Sequence, residues 1–205
     1  MKIKINYSKT KELRRLLWSP PELGWGNEFH RSDMILCPLR GYYRLTGIPP
    51  KPPEKLVAYG IVGTTLHNII ESKFPNAERD IQWCNIHNTI DVVWDKYTEI
   101  KTTRMSILNP SDIPRVYKEQ ILSGMVATKE FSWYLITLDI VNMNLLVWDV
   151  IAKSKEVNDF KYELLARRDC LSAAVLSRNP TWLTPHLNEC GLCPYKYTCR
   201  VWTNR

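Results

Sequence analysis

The sequence predicts an α/β domain in which a mixed central sheet is covered by helices. Three features carry that expectation: apolar residues at helical spacing near both ends of the chain, short and alternating apolar runs in two central stretches, and clusters of Gly, Pro and Asn dividing them. Read in order, the elements run α, α, β, β, α, β, β, α.

Residues 1–30 form a basic lead-in containing Trp and Pro, in which Pro20, Pro21, Gly24 and Gly26 break any long regular element. The domain proper is assigned to 31–205. Ser32 and Asp33 are placed to cap a helix starting about Met34, which continues through LCPLRGYYRLTG to Gly47 and the prolines at 49, 50, 52 and 53. Pro38 suits a first helical turn, where its missing N–H is no loss. Gly63 and Thr64 then introduce a second helix, TTLHNIIESKF, with Leu66, Ile69, Ile70 and Phe74 along one stripe.

The period changes at Asp80, where DIQWCNIHNTIDVVWDKYTEIKTT reads as two or three short strands with polar turns. The stretch from about Asp112 to Thr128 is helical, with Pro114 in its first turn. SWYLITLDIV and NLLVWDVIA read as a hairpin turning near Asn142–Asn144. A long helix over about 157–176 precedes a loop at Pro180 and a cysteine-rich tail.

A chain of 205 residues that is 44% apolar can bury a full core. Its longest apolar runs, such as Trp133–Ile136, are far too short to span a bilayer, so no membrane partner is expected. The first fifteen residues carry six Lys and Arg with no continuous apolar stretch after them, and the protein reads as cytoplasmic. In a reducing compartment the six cysteines bind metal or stay free in preference to forming disulfides. The net charge of +7 favours an anionic partner such as nucleic acid.

Cys37 stands alone near the start, whereas Cys190, Cys193 and Cys199 lie together in CGLCPYKYTC. The two-residue spacing lets two thiolates reach one metal centre, and a fourth ligand from across the fold would staple the two ends of the domain together. Cys84 and Cys170 lie among apolar neighbours and are read as small buried residues.

A candidate catalytic set lies between these cysteines. Asp91 follows an apolar approach in TID, and Glu99 and Lys101 come eight and ten residues later as EIK. Residues two apart on a strand share a face, so Glu99 and Lys101 project side by side while Ile100 faces the opposite layer. Carboxylates hold a hard cation through oxygen, and a nearby Lys can orient a water or offset charge developing on phosphate. The reading makes a demand on register. A two-residue turn at Asp95–Lys96 would pair Asp91 with Ile100 and turn it away from Glu99, whereas a three-residue loop or a bulge puts Asp91 opposite Glu99. His67 and Glu71, four apart in HNIIE, share a helical face, and a neutral imidazole can add a nitrogen ligand to the same metal.

Taken in order, these motifs resemble the RecB-like nucleases of the PD-(D/E)xK superfamily, and among them the CRISPR-associated exonucleases called Cas-four. The resemblance runs from Cys37-Pro38 and GYYRLTG through GTTLHNIIE, Asp91 and EIK to Cys190, Cys193 and Cys199, covering about residues 32–200. One departure is clear: Gln120 is present, but Gly124 stands where the family's QxxxY motif has Tyr, and Tyr117 is the candidate substitute.

The resemblance implies a restriction-endonuclease-like PD-(D/E)xK core with a cluster-bearing cap joining the terminal segments. It implies a Mg²⁺- or Mn²⁺-dependent deoxyribonuclease acting near single-stranded DNA ends, with the metal held by His67, Asp91, Glu99 and the carbonyl of Ile100. Lys101 would position the water, and Gln120 would orient Lys101 or a phosphate. A [4Fe-4S] cluster would be ligated by Cys37, Cys190, Cys193 and Cys199. Family membership would also bring a role in trimming captured DNA for CRISPR spacer acquisition, together with the Cas-one and Cas-two integrase.

Near the cysteines, Arg40, Tyr42, Tyr43 and Arg44 with Tyr195, Lys196, Tyr197 and Arg200 are candidates to contact phosphate and stack on unpaired bases; the bland reading packs the tyrosines around the metal. Three rivals stay open: a DNA- or protein-binding subunit with vestigial chemistry, a zinc-stapled nucleic-acid-binding domain, and a viral or phage recombination nuclease of the same fold.

Overall fold

The computed structural model describes residues 28–203. The lead-in assigned to 1–30 lies outside the described residues as far as residue 27. Its last two residues, Phe29–His30, belong to the domain, because they form a short strand β1.

Helix α1, Arg31–Ile35, starts after His30, whose backbone N–H donates to Asp33 Oδ2 at 2.9 Å. Asp33 is therefore the third residue of a reciprocal cap and not its first. The single helix expected over 34–47 is two. Pro38 disfavours helical geometry at the residue before it, and Cys37 accordingly takes φ −64°, ψ 119°, breaking the chain between α1 and α2, Pro38–Leu45. That break sets Cys37 at a helix N-terminus.

Helix α3, Glu54–Glu71, begins about ten residues before the expected start at Gly63 and follows Pro53 directly. Gly63 is not a start signal but a close-approach position: a Cβ there would lie 3.0 Å from Thr102 Oγ1 on the sheet beneath.

Three strands follow, β2 (Ala77–Trp83), β3 (Ile86–Val93) and β4 (Tyr97–Thr103). Cys84 and Asn85 form the two-residue link between β2 and β3, both with positive φ, 48° and 59°, as a tight hairpin turn requires. This placement exposes Cys84, and Cys170 is exposed on a later helix, so neither is the buried residue its apolar neighbours suggested.

Helix α4 spans Arg115–Thr128, with Pro114 just before it. The hairpin β5 (Ser132–Asp139) and β6 (Asn144–Ile151) and the long helix α5 (Ser154–Leu176) come next, and a short α6 (Arg200–Thr203) closes the described chain.

The sheet runs β1-β3-β4-β5-β6, with β2 also paired to β3. It is mixed: β4 and β5 are parallel, as are β1 and β3, and the other pairs are antiparallel. On one face Trp133 and Leu135 of β5 share the main core with Ile121 and Met125 of α4 and with Leu164 and Leu171 of α5. On the other, Val92, Ile100 and Ile136 meet Ile70 from the end of α3 and Phe74 just beyond it. Among the described residues no helix is long and apolar enough to cross a membrane.

Candidate active site and cysteine pocket

The register between β3 and β4 decides whether the carboxylates meet. Val93 pairs with Tyr97 and Val92 with Thr98, so the loop holds three residues, Trp94, Asp95 and Lys96. This is the register the candidate site demands. The ladder ends there, and the strands diverge at Asp91 and Glu99. Into that gap Ile100 N–H donates to Asp91 Oδ2 at 2.6 Å, so a carboxylate takes up the backbone donor that a continuing ladder would have used.

Helix α3 brings His67 over the same gap. Its Nε2 lies 3.2 Å from Asp91 Oδ2 and its Nδ1 3.4 Å from Glu71 Oε1, so the imidazole bridges two carboxylates. The ligand atoms of His67, Glu71 and Asp91 all lie within 4.8 Å of one another, close enough to hold one metal ion. Burial pulls the His67 pKa down, but the hydrogen bond and charge of Asp91 outweigh it and hold the imidazole above its ordinary value. Burial pushes Asp91 up, yet the His67 hydrogen bond and the Lys101 charge bring it below its usual range.

Glu99 is wholly buried. Its Oε1 accepts from Lys101 Nζ at 2.5 Å and from Arg31 Nη2 at 2.9 Å. Its Oε2 is buried with no hydrogen-bond partner among the described residues, the kind of orphaned acceptor a metal ion satisfies. Two cations balance one buried carboxylate, which would otherwise cost several kcal/mol. Arg31 also donates to the backbone carbonyl of Gln120 at 3.4 Å, tying α1 to α4 across the site.

Arg31 and Glu71 are absent from the set first assigned to the site. Glu71 was legible in the HNIIE spacing. Arg31 carried no local signal, because its partner is 68 positions away. Gln120 meets the site through its carbonyl; the ring facing Lys101 Nζ, at 5.8 Å, belongs to Tyr117. The departure at Gly124 also has a physical cause. A Cβ there would lie 2.2 Å from the Trp133 ring, which fills the space a larger side chain would need.

Cys37, Cys190, Cys193 and Cys199 line one cavity with Leu39, Tyr43 and Pro185. None is in a disulfide. Backbone N–H of His186 points at Cys37 Sγ, 3.5 Å away. Burial raises the Cys193 thiol pKa, outweighing the lowering pull of a Tyr195 backbone hydrogen bond and of the Arg40 charge.

The candidate DNA contacts beside the cysteines divide. Tyr43 lines the cavity and Tyr195 is buried beside it, their ring centres 5.7 Å apart, so neither offers an exposed ring to a base. Tyr42 is buried beside them. Arg44 forms a bidentate pair with Asp33, and Arg200 donates to the carbonyls of Pro180 and Thr181. These five residues hold the cap together. Arg40 and Lys196 line the cavity, and Tyr197 is exposed with Lys196 Nζ 4.7 Å from its ring.

No protein-family model matches the sequence, and no curated protein does. Among solved structures, the fold is similar to the crystal structure of SSO0001, with a TM-score of 0.56 at 18% identity, over 95% of this chain and 94% of that one. It is also similar to LHK-Exo in complex with dAMP, with a TM-score of 0.51 at 16% identity, over 74% of this chain and 91% of that one. A further structure of LHK-Exo, an alkaline exonuclease from Laribacter hongkongensis, aligns with a TM-score of 0.49 at 15% identity, over 82% of this chain and 96% of that one. The first two likenesses show the fold, a mixed sheet flanked by helices.

Proposed function

We propose that the chain is a divalent-metal-dependent DNA nuclease that digests single-stranded ends. The observation that carries the proposal is the opening between β3 and β4. There the three-residue register sets Asp91 beside His67 and Glu71 and opposite the Glu99–Lys101 pair. The dAMP complex of LHK-Exo, a protein of similar fold, supports the same reading.

His67, Glu71, Asp91 and the free Oε2 of Glu99 are the residues that would hold Mg²⁺ or Mn²⁺. A cation held by them would supply Lewis-acid polarisation of a phosphodiester and a water of lowered pKa. Lys101, fixed by Glu99 and faced by Tyr117, orients that water and offsets charge on the phosphate. Arg31 is a positioning residue that keeps Glu99 aimed and electrically balanced.

The four converging thiols fit a [4Fe-4S] cluster. The choice of this cluster over a tetrahedral zinc rests on the resemblance of the motifs. On the resemblance of its motifs, we extend the proposal to trimming DNA for CRISPR spacer acquisition with the Cas-one and Cas-two integrase. Co-purification with that integrase checks the extension.

The central test is Mn²⁺-dependent digestion of end-labelled single-stranded DNA by the whole chain. Glu99→Ala and Lys101→Ala are expected to lose on the order of 10³-fold or more in rate, with the visible absorption of the cluster unchanged. Undiminished digestion by both variants would sink the assignment.

A further inference from the structure

The nuclease reading places the scissile phosphate over His67 and Lys101 but leaves the rest of the strand without a path. A second cation–aromatic pair lies farther along the same seam between α3 and β4. Arg104, just past the end of β4, lays its guanidinium 4.7 Å from the centre of the Tyr59 ring and donates through Nη1 to the Tyr59 hydroxyl. Lys55, one turn earlier on α3, holds its Nζ 5.8 Å from the same ring. Tyr59 is half-buried, whereas Lys55, Gly60 and Arg104 are exposed, and nothing lies within 4 Å of a Cβ added at Gly60. The partly exposed ring thus lies next to the open position of Gly60 and within reach of two exposed cations.

The spacing is what ties this pair to the site. Tyr59 is eight residues before His67 on one helix, about 12 Å along its axis. Arg104 is three residues beyond Lys101, about 10 Å along an extended chain. Helix and strand are in close contact midway, where Gly63 meets Thr102. At about 3.4 Å per stacked nucleotide, either distance spans roughly three nucleotides. Exposed cations around an accessible aromatic ring are the chemistry that binds unpaired strands, the ring taking a base and the cations the phosphates on either side.

We propose that Tyr59, Arg104 and Lys55 form a subsite for single-stranded nucleic acid about three nucleotides from the scissile phosphate. Tyr59 stacks on a base, and Arg104 and Lys55 hold the flanking phosphates. The subsite rests on the nuclease reading for its role, but its binding is measurable without catalysis.

The test uses the whole chain and a fluorescein-labelled oligothymidylate in Ca²⁺, with affinity read from anisotropy at several salt concentrations. Tyr59→Leu is expected to weaken binding by about 10-fold or more, and Tyr59→Phe to restore it. Arg104→Gln is expected to reduce the slope of log affinity against log salt by about 0.7, the loss of one phosphate contact. Thermal unfolding checks that each variant is folded; should Tyr59→Leu fail to fold, Arg104→Gln at an exposed site carries the test. Wild-type affinity in Tyr59→Leu together with an unaltered slope in Arg104→Gln overturns the subsite, as does failure of the wild type to bind. Hydrolysis of bis(p-nitrophenyl) phosphate by the wild-type protein, a substrate too small to reach Tyr59, separates the two readings. No hydrolysis with the binding effects intact removes the nuclease reading and leaves the subsite, and hydrolysis with unaltered variant binding does the reverse.

Discussion

The open strand pair and the cysteine pocket concentrate this molecule's chemistry, and they are built in opposite ways. In the strand pair every buried carboxylate is balanced by a named cation or donor: Glu99 by Arg31 and Lys101, Asp91 by His67 and the N–H of Ile100. In the pocket the thiols line a cavity with Tyr43, Pro185, Arg40 and Lys196, and burial raises the pKa of both Cys193 and Tyr195. One region is organised by charge within the protein. The other gathers thiols beside Arg40 and Lys196 in a cavity where burial disfavours the Cys193 thiolate. Removing a group from the first should shift charge balance and rate, whereas removing one from the second should cost a ligand and the local fold with it.

The largest effect expected is in the pocket. Cys193→Ala in anaerobically purified protein should abolish the visible cluster absorption and lower the thermal midpoint, because metal-binding energy there is folding energy. A coloured variant with an unchanged midpoint would show that Cys193 is no ligand.

Arg31→Met breaks the other region at its most buried pair. Leaving Glu99 with Lys101 alone should cost about 3 kcal/mol in urea unfolding, while the cluster spectrum stays as it was. A loss under about 1 kcal/mol would mean that Lys101 by itself suffices to balance Glu99.

Smaller and sharper is the titration of His67. Its imidazole should titrate above the ordinary 6.5, because Asp91 stabilises the charged form. Asp91→Asn should lower that midpoint in an NMR titration. A metal ligand must be the neutral imidazole, so Mn²⁺ affinity should fall as pH drops through this raised value, about tenfold per unit below it. An unmoved His67 midpoint in Asp91→Asn would disprove the coupling.

The smallest effect concerns the packing of α4 and α5 against α1, outside both regions. Glu119 of α4 takes hydrogen bonds from Arg167 of α5, which also donates to the carbonyl of Met34 in α1. Burial raises the Glu119 pKa, but the hydrogen bonds from Arg167 and Arg115 outweigh it and leave it below the ordinary 4.5. The stability it contributes is present above that ordinary value and lost as pH falls through the lowered one. Glu119→Gln should therefore flatten the acid limb of the stability curve and lower stability near neutral pH. An acid limb unchanged from wild type would place the acid sensitivity elsewhere.

Much of the site was legible because strand and helix periods are local. EIK puts Glu99 and Lys101 on one face wherever the strand lies, and HNIIE does the same for His67 and Glu71. Boundaries were less legible where one residue type has two uses. Gly63 reads as a helix start but permits the contact with Thr102, and Pro38 reads as a tolerated first-turn residue but also breaks the chain before it. Exposure was the least legible of all. Cys84 has the apolar neighbours of a core residue but occupies a tight turn, and Tyr43 and Tyr195 have the basic neighbours of a binding surface but form a wall.

The sequence by itself determined the mixed α/β class, the His67, Asp91, Glu99 and Lys101 set and the four-cysteine frame, since these follow from spacing along one chain. Only the tertiary structure decided that the β3–β4 loop holds three residues, that Arg31 reaches Glu99, and that the tyrosines face inward. Each of these depends on which distant groups share a low-dielectric interior, and neither a buried charge nor an unpaired donor is tolerated there alone.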